Sequence, residues 1–230
     1  MLVGAWGATK SPIFDTRRIE VTGASQLAPE RVLDLAEIGL GTNLFWFNAG
    51  SAEDRLESNP WVKEAHIRRS LPSTVRIEIE ERHPAAQVKT GDRWTLLAGD
   101  GTVLSTIRHD AGLPSIGIAA DIEPGEPSIT PGGPVRVIGA MGRWLRSQVR
   151  SVAREDDGDV LIHLRSGVPV YYGPATAVIA KDQVLASLLR WALSGDRRME
   201  WVSVRAPVAP TAKLAKPEPK TSGDTEKTSR

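Results

Sequence analysis

The chain has 230 residues, 40% of them apolar and 25% charged, with a formal net charge of +1 and no cysteine. That length can bury one large or two modest cores without covalent staples. The near-neutral charge supplies no field for nucleic acid or an acidic substrate. The missing cysteines exclude disulfides, thiolate metal sites and cysteine nucleophiles, and are neutral about compartment.

The first eight residues, Met1-Leu-Val-Gly-Ala-Trp-Gly-Ala, are apolar but fall short of the roughly 20 residues that span a bilayer. They also lack the basic start and cleavage site of a signal peptide. Two readings stand: a disordered start, or the outer end of a membrane helix.

From there the elements follow in order. Arg17 to Val21 alternate and stop at Thr22-Gly23, a first strand with Ile19 and Val21 inward. A helix starts near Pro29 with Val32, Leu35 and Ala36 as its apolar stripe, and Gly39-Leu-Gly41 breaks it. Ser51, with Asp54 three residues on, reads as the N-cap of a second helix that turns Ala52 and Leu56 inward. Asn59-Pro60 ends that helix. Val62, Ala65 and Ile67 then sit among polar residues, and Val75, Ile77 and Ile79 alternate strictly with Arg76, Glu78 and Glu80. This is the pattern of strands with one wet face, reversed at Leu71-Pro72-Ser73-Thr74. Residues 15 to 82 thus read β-α-α-β-β.

After about Pro84 the pattern is of short strands and turns. Trp94 to Leu97 and Thr102 to Leu104 flank Gly99-Asp100-Gly101, a hairpin signal. Residues 109 to 134 are Pro- and Gly-rich loops. Val137, Ile138, Met141, Trp144, Leu145 and Val149 predict one helix over about 134 to 148. Val160 to Leu164 and Val168 to Tyr172 pair across Arg165-Ser166-Gly167, with Pro169 demoting the second strand to an edge or a bulge. A last helix covers 177 to 194 and stops at Gly195. Trp201 to Ala206 form the final strand. Beyond Pro207 the polar, Pro-rich composition predicts a disordered tail.

Catalytic equipment is sparse. The histidines at 66, 83, 109 and 163 include no helical i, i+4 pair; His66 and His163 read as solvent-facing strand residues and His83 as a strand end. Glu155-Asp-Asp-Gly-Asp lacks the spacing of a calcium loop and reads as a hairpin turn. Gly39-Leu-Gly41 follows a helix rather than a strand, which fails the dinucleotide pattern, and no Gly-x-Ser-x-Gly elbow occurs. Among the tryptophans, Trp144 and Trp191 read as core, and Trp61 and Trp94 as packing between the two units. Trp46, in Leu44-Phe-Trp-Phe, reads as core or as an exposed docking or membrane-facing patch.

The order of these signals resembles the extracytoplasmic part of the FtsQ/DivIB family. Phe14 through Gly23 is similar to its opening strand and Gly41-Thr-Asn-Leu to its interhelical link. Asn59-Pro-Trp-Val, Ala65-His-Ile-Arg-Arg, Leu71-Pro-Ser-Thr-Val and Glu81-Arg-His-Pro-Ala resemble its most recognisable stretch. Leu97-Ala-Gly-Asp-Gly-Thr-Val-Leu, Ser166-Gly-Val-Pro-Val-Tyr-Tyr-Gly with Lys181, and Trp201-Val-Ser-Val-Arg-Ala-Pro continue the likeness, with Ala98 and Ser203 standing where aspartate is common. The match covers residues 14 to 210, and the composition, 21 Arg against 8 Lys, looks like actinobacterial members.

The resemblance implies an α+β chain: 1–13 a membrane-helix stub or disordered, 14–83 a POTRA domain, 84–206 a mixed, mainly antiparallel β domain with helices, and 207–230 a disordered tail. It implies a non-catalytic, cofactor-free scaffold at the division septum, anchored in the cell membrane by a single helix, with the region 14–206 outside the cytoplasm. Implied partners are the small bitopic division proteins of the FtsB/DivIC and FtsL kinds and other divisome components, not nucleic acid. Trp201, Val202, Val204, Arg205, Ala206 and Val208 are the expected docking residues, on the reasoning that the last strand leaves an open edge. A POTRA-bearing assembly or secretion component is the alternative.

Overall fold

The computed structural model describes residues 11–117 and 132–216; the proposed membrane-helix stub therefore lies largely outside the described residues. A short 3-10 turn, Pro12–Phe14, precedes β1 (Arg18–Thr22), α1 (Pro29–Ala36), α2 (Ala49–Glu57), β2 (Val62–Ser70) and β3 (Thr74–Glu81). These make a three-stranded sheet in the order β1-β3-β2, with β1 parallel and β2 antiparallel to the central β3. Val75 and Ile77 of β3 and Val62 of β2 are fully buried against Val32, Ala52 and Leu56 of the helices. The wet face carries Arg76 and Glu78, the alternation seen in the sequence.

α2 begins three residues earlier than the Ser51 cap predicts. Asn48 is the cap, its Oδ1 accepting from the Ser51 amide at 3.2 Å; asparagine caps as well as serine does. The outer edge of β2 is closed by α2 itself, since Glu57 accepts from the Ala65 amide at 3.0 Å and Glu53 from the Ile67 amide at 2.6 Å.

Only Arg82 and His83 separate β3 from β4 (Pro84–Thr90). Then come β5 (Arg93–Ala98), β6 (Val103–Ile107), β7 (Ser115–Ile116), α3 (Gly133–Ala140), α4 (Arg143–Gln148), β8 (Val149–Arg154), β9 (Val160–Leu164), β10 (Pro169–Gly173), α5 (Val178–Ser194), β11 (Met199–Ser203) and β12 (Thr211–Leu214). They form a nine-stranded sheet, β12-β11-β10-β9-β8-β7-β4-β5-β6. Pairing is antiparallel except at β4-β7, β7-β8 and β10-β11. Val160, Ile162, Val170 and Tyr172 pack against Val137 and Ile138 of α3 and Leu185 of α5.

The single helix expected over 134 to 148 is two. Met141 is extended and Gly142 caps α4, yet Val137, Ile138, Met141, Leu145 and Val149 are all buried, so the helical spacing marked the right residues. Pro169 opens β10, which is interior rather than an edge, where a first strand residue owes no ladder donor; a register shift follows between Tyr171 and Gly173. Disorder from residue 207 is corrected for the described part of the tail, residues 217–230 lying outside the described residues. Residues 211–214 are β12, paired to β11, because an exposed strand is a template for backbone that lacks strand propensity of its own.

The two sheets are joined tightly. Trp61 packs on Leu96, Ala98 and Leu104 of the large sheet. Arg82 donates to the Val62 and Pro60 carbonyls and, through Nε, to Asp100 at 2.9 Å, which ties the start of β2 to the β5-β6 turn. That turn meets α3 backbone to backbone: a Cβ on Gly139 would lie 2.1 Å from the Gly99 carbonyl oxygen.

Candidate partner-docking edge

The C-terminal end of the large sheet is assembled on β10. Tyr172 is fully buried, its hydroxyl donating to Asp182 Oδ1 at 2.9 Å and lying 3.2 Å from the Val178 carbonyl oxygen. Lys181, also buried, donates through Nζ to the carbonyls of Tyr172 (3.0 Å) and Pro174 (2.7 Å). This pins the end of β10 to the first turns of α5. Burial pushes the Asp182 carboxyl up to about 6 against the lowering effect of the Tyr172 hydrogen bond, and burial also pushes the Tyr172 hydroxyl up. Burial lowers Lys181, partly offset by Asp159. Each polar group is consumed by a neighbour, apart from Asp182 Oδ2, so the trio is a clamp. Sequence reasoning noted the Tyr171-Tyr172 run and Lys181 but not Asp182, which α5 brings to the Tyr172 hydroxyl.

β11 lies on this clamp, parallel to β10, with Val202 opposite Val170. The structure places the expected docking residues unevenly. Val202 and Val204 are fully buried, and the Val204 amide donates to the Tyr171 carbonyl, inside the sheet. Trp201 is half-buried, edge-on to Tyr171. Arg205 is ion-paired to Asp159 at 2.7 Å, within the acidic turn after β8, and packs on Gly173. Ala206 is exposed, and Val208 is 94% exposed. The open edge expected on this strand is therefore taken: β12 pairs with it, Val202 facing Ala212 and Ser203 facing Thr211.

Among the described residues β12 is now the outermost strand. All four of its residues are exposed, and Lys213 pairs with Glu200 at 2.9 Å. The Ala215 amide donates inward to the Arg198 carbonyl. Ladder alternation then directs the amides of Ala212 and Leu214 outward, unpaired among the described residues.

A second exposed surface lies at the other end of the molecule. Trp46 is 55% exposed and Phe45 44%, Phe45 standing edge-on to Phe14 at 4.9 Å, with Ile13 and Leu40 exposed nearby. The exposed reading of Trp46 is the one found. Trp191 is likewise 46% exposed, its ring under Arg197, not core; Trp144 is half-buried beneath Arg190. His66 and His83 are exposed, and no cluster of metal-binding side chains occurs among the described residues.

A β-α-α-β-β unit joined end-on to a strand-rich mixed sheet is the architecture of a POTRA-bearing protein. Residues 14–82 match the family model described as "POTRA domain, FtsQ-type". The chain is 28% identical over 192 residues to a cell division protein FtsQ of Corynebacterium glutamicum, covering 80% of this chain and 84% of that one. It is 30% identical over 179 residues to the FtsQ of Mycobacterium leprae, covering 78% of this chain and 52% of that one. A DivIB of Clostridium acetobutylicum is 24% identical over 104 residues, covering 45% and 42%. The chain thus carries an FtsQ-type POTRA domain at residues 14–82 and is similar over most of its length to FtsQ proteins. It spans most of the corynebacterial relative and about half of the mycobacterial one. No helix among the described residues is long and apolar enough to cross a membrane.

Proposed function

We propose that the chain is a non-catalytic scaffold of the cell-division machinery that binds small single-span division proteins by strand addition at the outer edge of β12. The observation that carries this reading is the free edge itself: four exposed residues closing a nine-stranded sheet, their outer amides unpaired among the described residues. An incoming strand gains main-chain hydrogen bonds there, and alternate side chains read its sequence. The family's curated members carry the name cell division protein, which supports a place at the septum, held at the membrane. FtsB/DivIC-like and FtsL-like proteins are the partners this reading assigns.

The test is a pull-down of the tagged full chain from detergent-solubilised host membranes, beside an Ala212→Pro variant. Proline at 212 removes an outward amide and leaves the inner ladder in place. Recovery of small single-span division proteins by the parent and their loss from a folded Ala212→Pro variant is the expected result. Equal recovery by both would refute docking at this edge; recovery of barrel or translocon proteins instead would overturn the division role.

A further inference from the structure

Beside the joint between the two sheets, a recess of about 620 Å³ brings together residues far apart in the chain. His83 and Pro84 leave the small sheet, Leu113 and Pro114 precede β7, Arg143 and Arg146 project from α4, and Arg165 stands in the β9-β10 turn. The volume lies within the range of ordinary ligand sites, about 300 to 1,000 Å³.

Three guanidiniums gather here without a close carboxylate among the described residues. Some guanidiniums elsewhere are paired with carboxylates: Arg55 with Glu37, Arg68 with Glu78, Arg76 with Glu20, Arg82 with Asp100. Among the described residues, none of the three recess arginines has a carboxylate at ion-pair distance. Arg146 gives one hydrogen bond, from Nη2 to the Met141 carbonyl at 2.8 Å, while its buried Nε has no acceptor. Arg165 gives two, to the Ser147 and Gly112 carbonyls, and Arg143 gives none among the described residues. Burial, and then the charge of Arg143, lower the Arg146 guanidinium from its ordinary value. Asp110, on which the charge of Arg165 acts, already accepts from Gln87 and the Gly112 amide through Oδ1, each at 2.6 Å.

We propose that this recess binds an acidic peptide segment, two or more Asp or Glu side chains seating on Arg143, Arg146 and Arg165 between the apolar walls of Pro84, Leu113 and Pro114. Planar guanidinium forks take carboxylates two bonds at a time. The proline and leucine walls suit the methylenes that carry a side-chain carboxylate, which a free phosphate lacks. The lining belongs to the large-sheet unit and to His83 of the two-residue link, so an occupant sits beside the joint. The site is separate from the β12 edge and does not rest on docking there.

The probe is a fluorescein-labelled peptide containing Glu-Glu-Leu-Glu-Glu, with a glutamine counterpart, titrated against the full chain by anisotropy at low and moderate salt. Binding of the glutamate peptide that weakens with salt, and none of the glutamine peptide, is expected. Arg143→Gln sacrifices no internal hydrogen bond, so its circular dichroism stays unchanged and its affinity falls about tenfold, the loss of one charge-assisted contact. Arg93→Gln, an exposed arginine outside the recess, leaves affinity unchanged. Failure of the glutamate peptide to bind at low salt overturns the proposal, as does equal weakening by Arg143→Gln and Arg93→Gln or no weakening by Arg143→Gln. Displacement of the peptide by millimolar inorganic phosphate, with the same dependence on Arg143, overturns the peptide assignment in favour of a free oxyanion.

Discussion

Replacing Glu81 by glutamine tests how the POTRA unit is held closed. The buried carboxylate at the end of β3 accepts from Ser25 Oγ at 2.6 Å and from the amides of Gln26 and Leu27 at 2.9 Å, so it gathers the whole β1-α1 loop. Burial raises its pKa, but the hydrogen bonds from Ser25, Leu27 and Gln26 outweigh burial and hold it below the ordinary carboxylate range. Glutamine keeps one acceptor oxygen for the two amides and loses the charge and the second oxygen. One or two charge-assisted bonds at about 1.5–3 kcal/mol each put the cost of Glu81→Gln at roughly 2–4 kcal/mol near neutral pH. For a unit of about 70 residues that lowers the midpoint of thermal unfolding by on the order of 10–20 °C. Because the folded pKa is depressed, the stabilisation is fully present above the unfolded value of about 4.3 and fades as pH falls through the folded value. Thermal and urea unfolding of both chains, followed by tryptophan fluorescence between pH 3 and 7, should give curves that converge in acid. A gap that stays constant down to pH 3, or no gap at pH 7, would refute this account.

Other perturbations test the large sheet and the joint. Gly139→Ala should destabilise by about 1–3 kcal/mol in urea, since the new Cβ would fall 2.1 Å from the Gly99 oxygen, while Gly142→Ala, with open space around it, should cost far less. Asp182→Asn should flatten the pH dependence of stability. A carboxyl raised to about 6 from an ordinary 3.9 loses about 3 kcal/mol as pH climbs from 4 to 7, and the amide does not titrate; denaturant midpoints across that range report the difference. Arg82→Met should leave both cores folded but widen the distribution of their relative orientations, read by small-angle scattering and residual dipolar couplings, because the link to Asp100 and the Val62 carbonyl is gone.

Local pattern carried a large part of this structure. The alternation of Val75, Ile77 and Ile79 and the stripe of Val32 and Ala36 are physical consequences of burial on one face, so they were visible in the residues and reappear as the small core. The turn at Gly99-Asp100-Gly101 was equally legible, since few residues suit a tight reversal. What stayed hidden depends on partners distant in sequence. Thr211-Ala-Lys-Leu has no strand signal, and only the edge of β11 makes it one. Burial of Val204 follows from its amide meeting Tyr171, more than 30 residues earlier. The recess around Arg143 and Arg165 exists because parallel pairing of β4, β7 and β8 folds separated segments beside one another.

The terminal strand has a mechanical consequence. A partner paired to β12 and pulled away from the molecule loads the β11-β12 ladder along its hydrogen bonds, one rung at a time, as in opening a zip. That ladder is four residues long and already interrupted by a register shift between Met199 and Trp201. Behind it, β11 is anchored by the fully buried Val202 and Val204. With such a partner bound, the strand would serve as a fuse: under tension β12 peels first, while buried Val202 and Val204 keep β11 in the sheet.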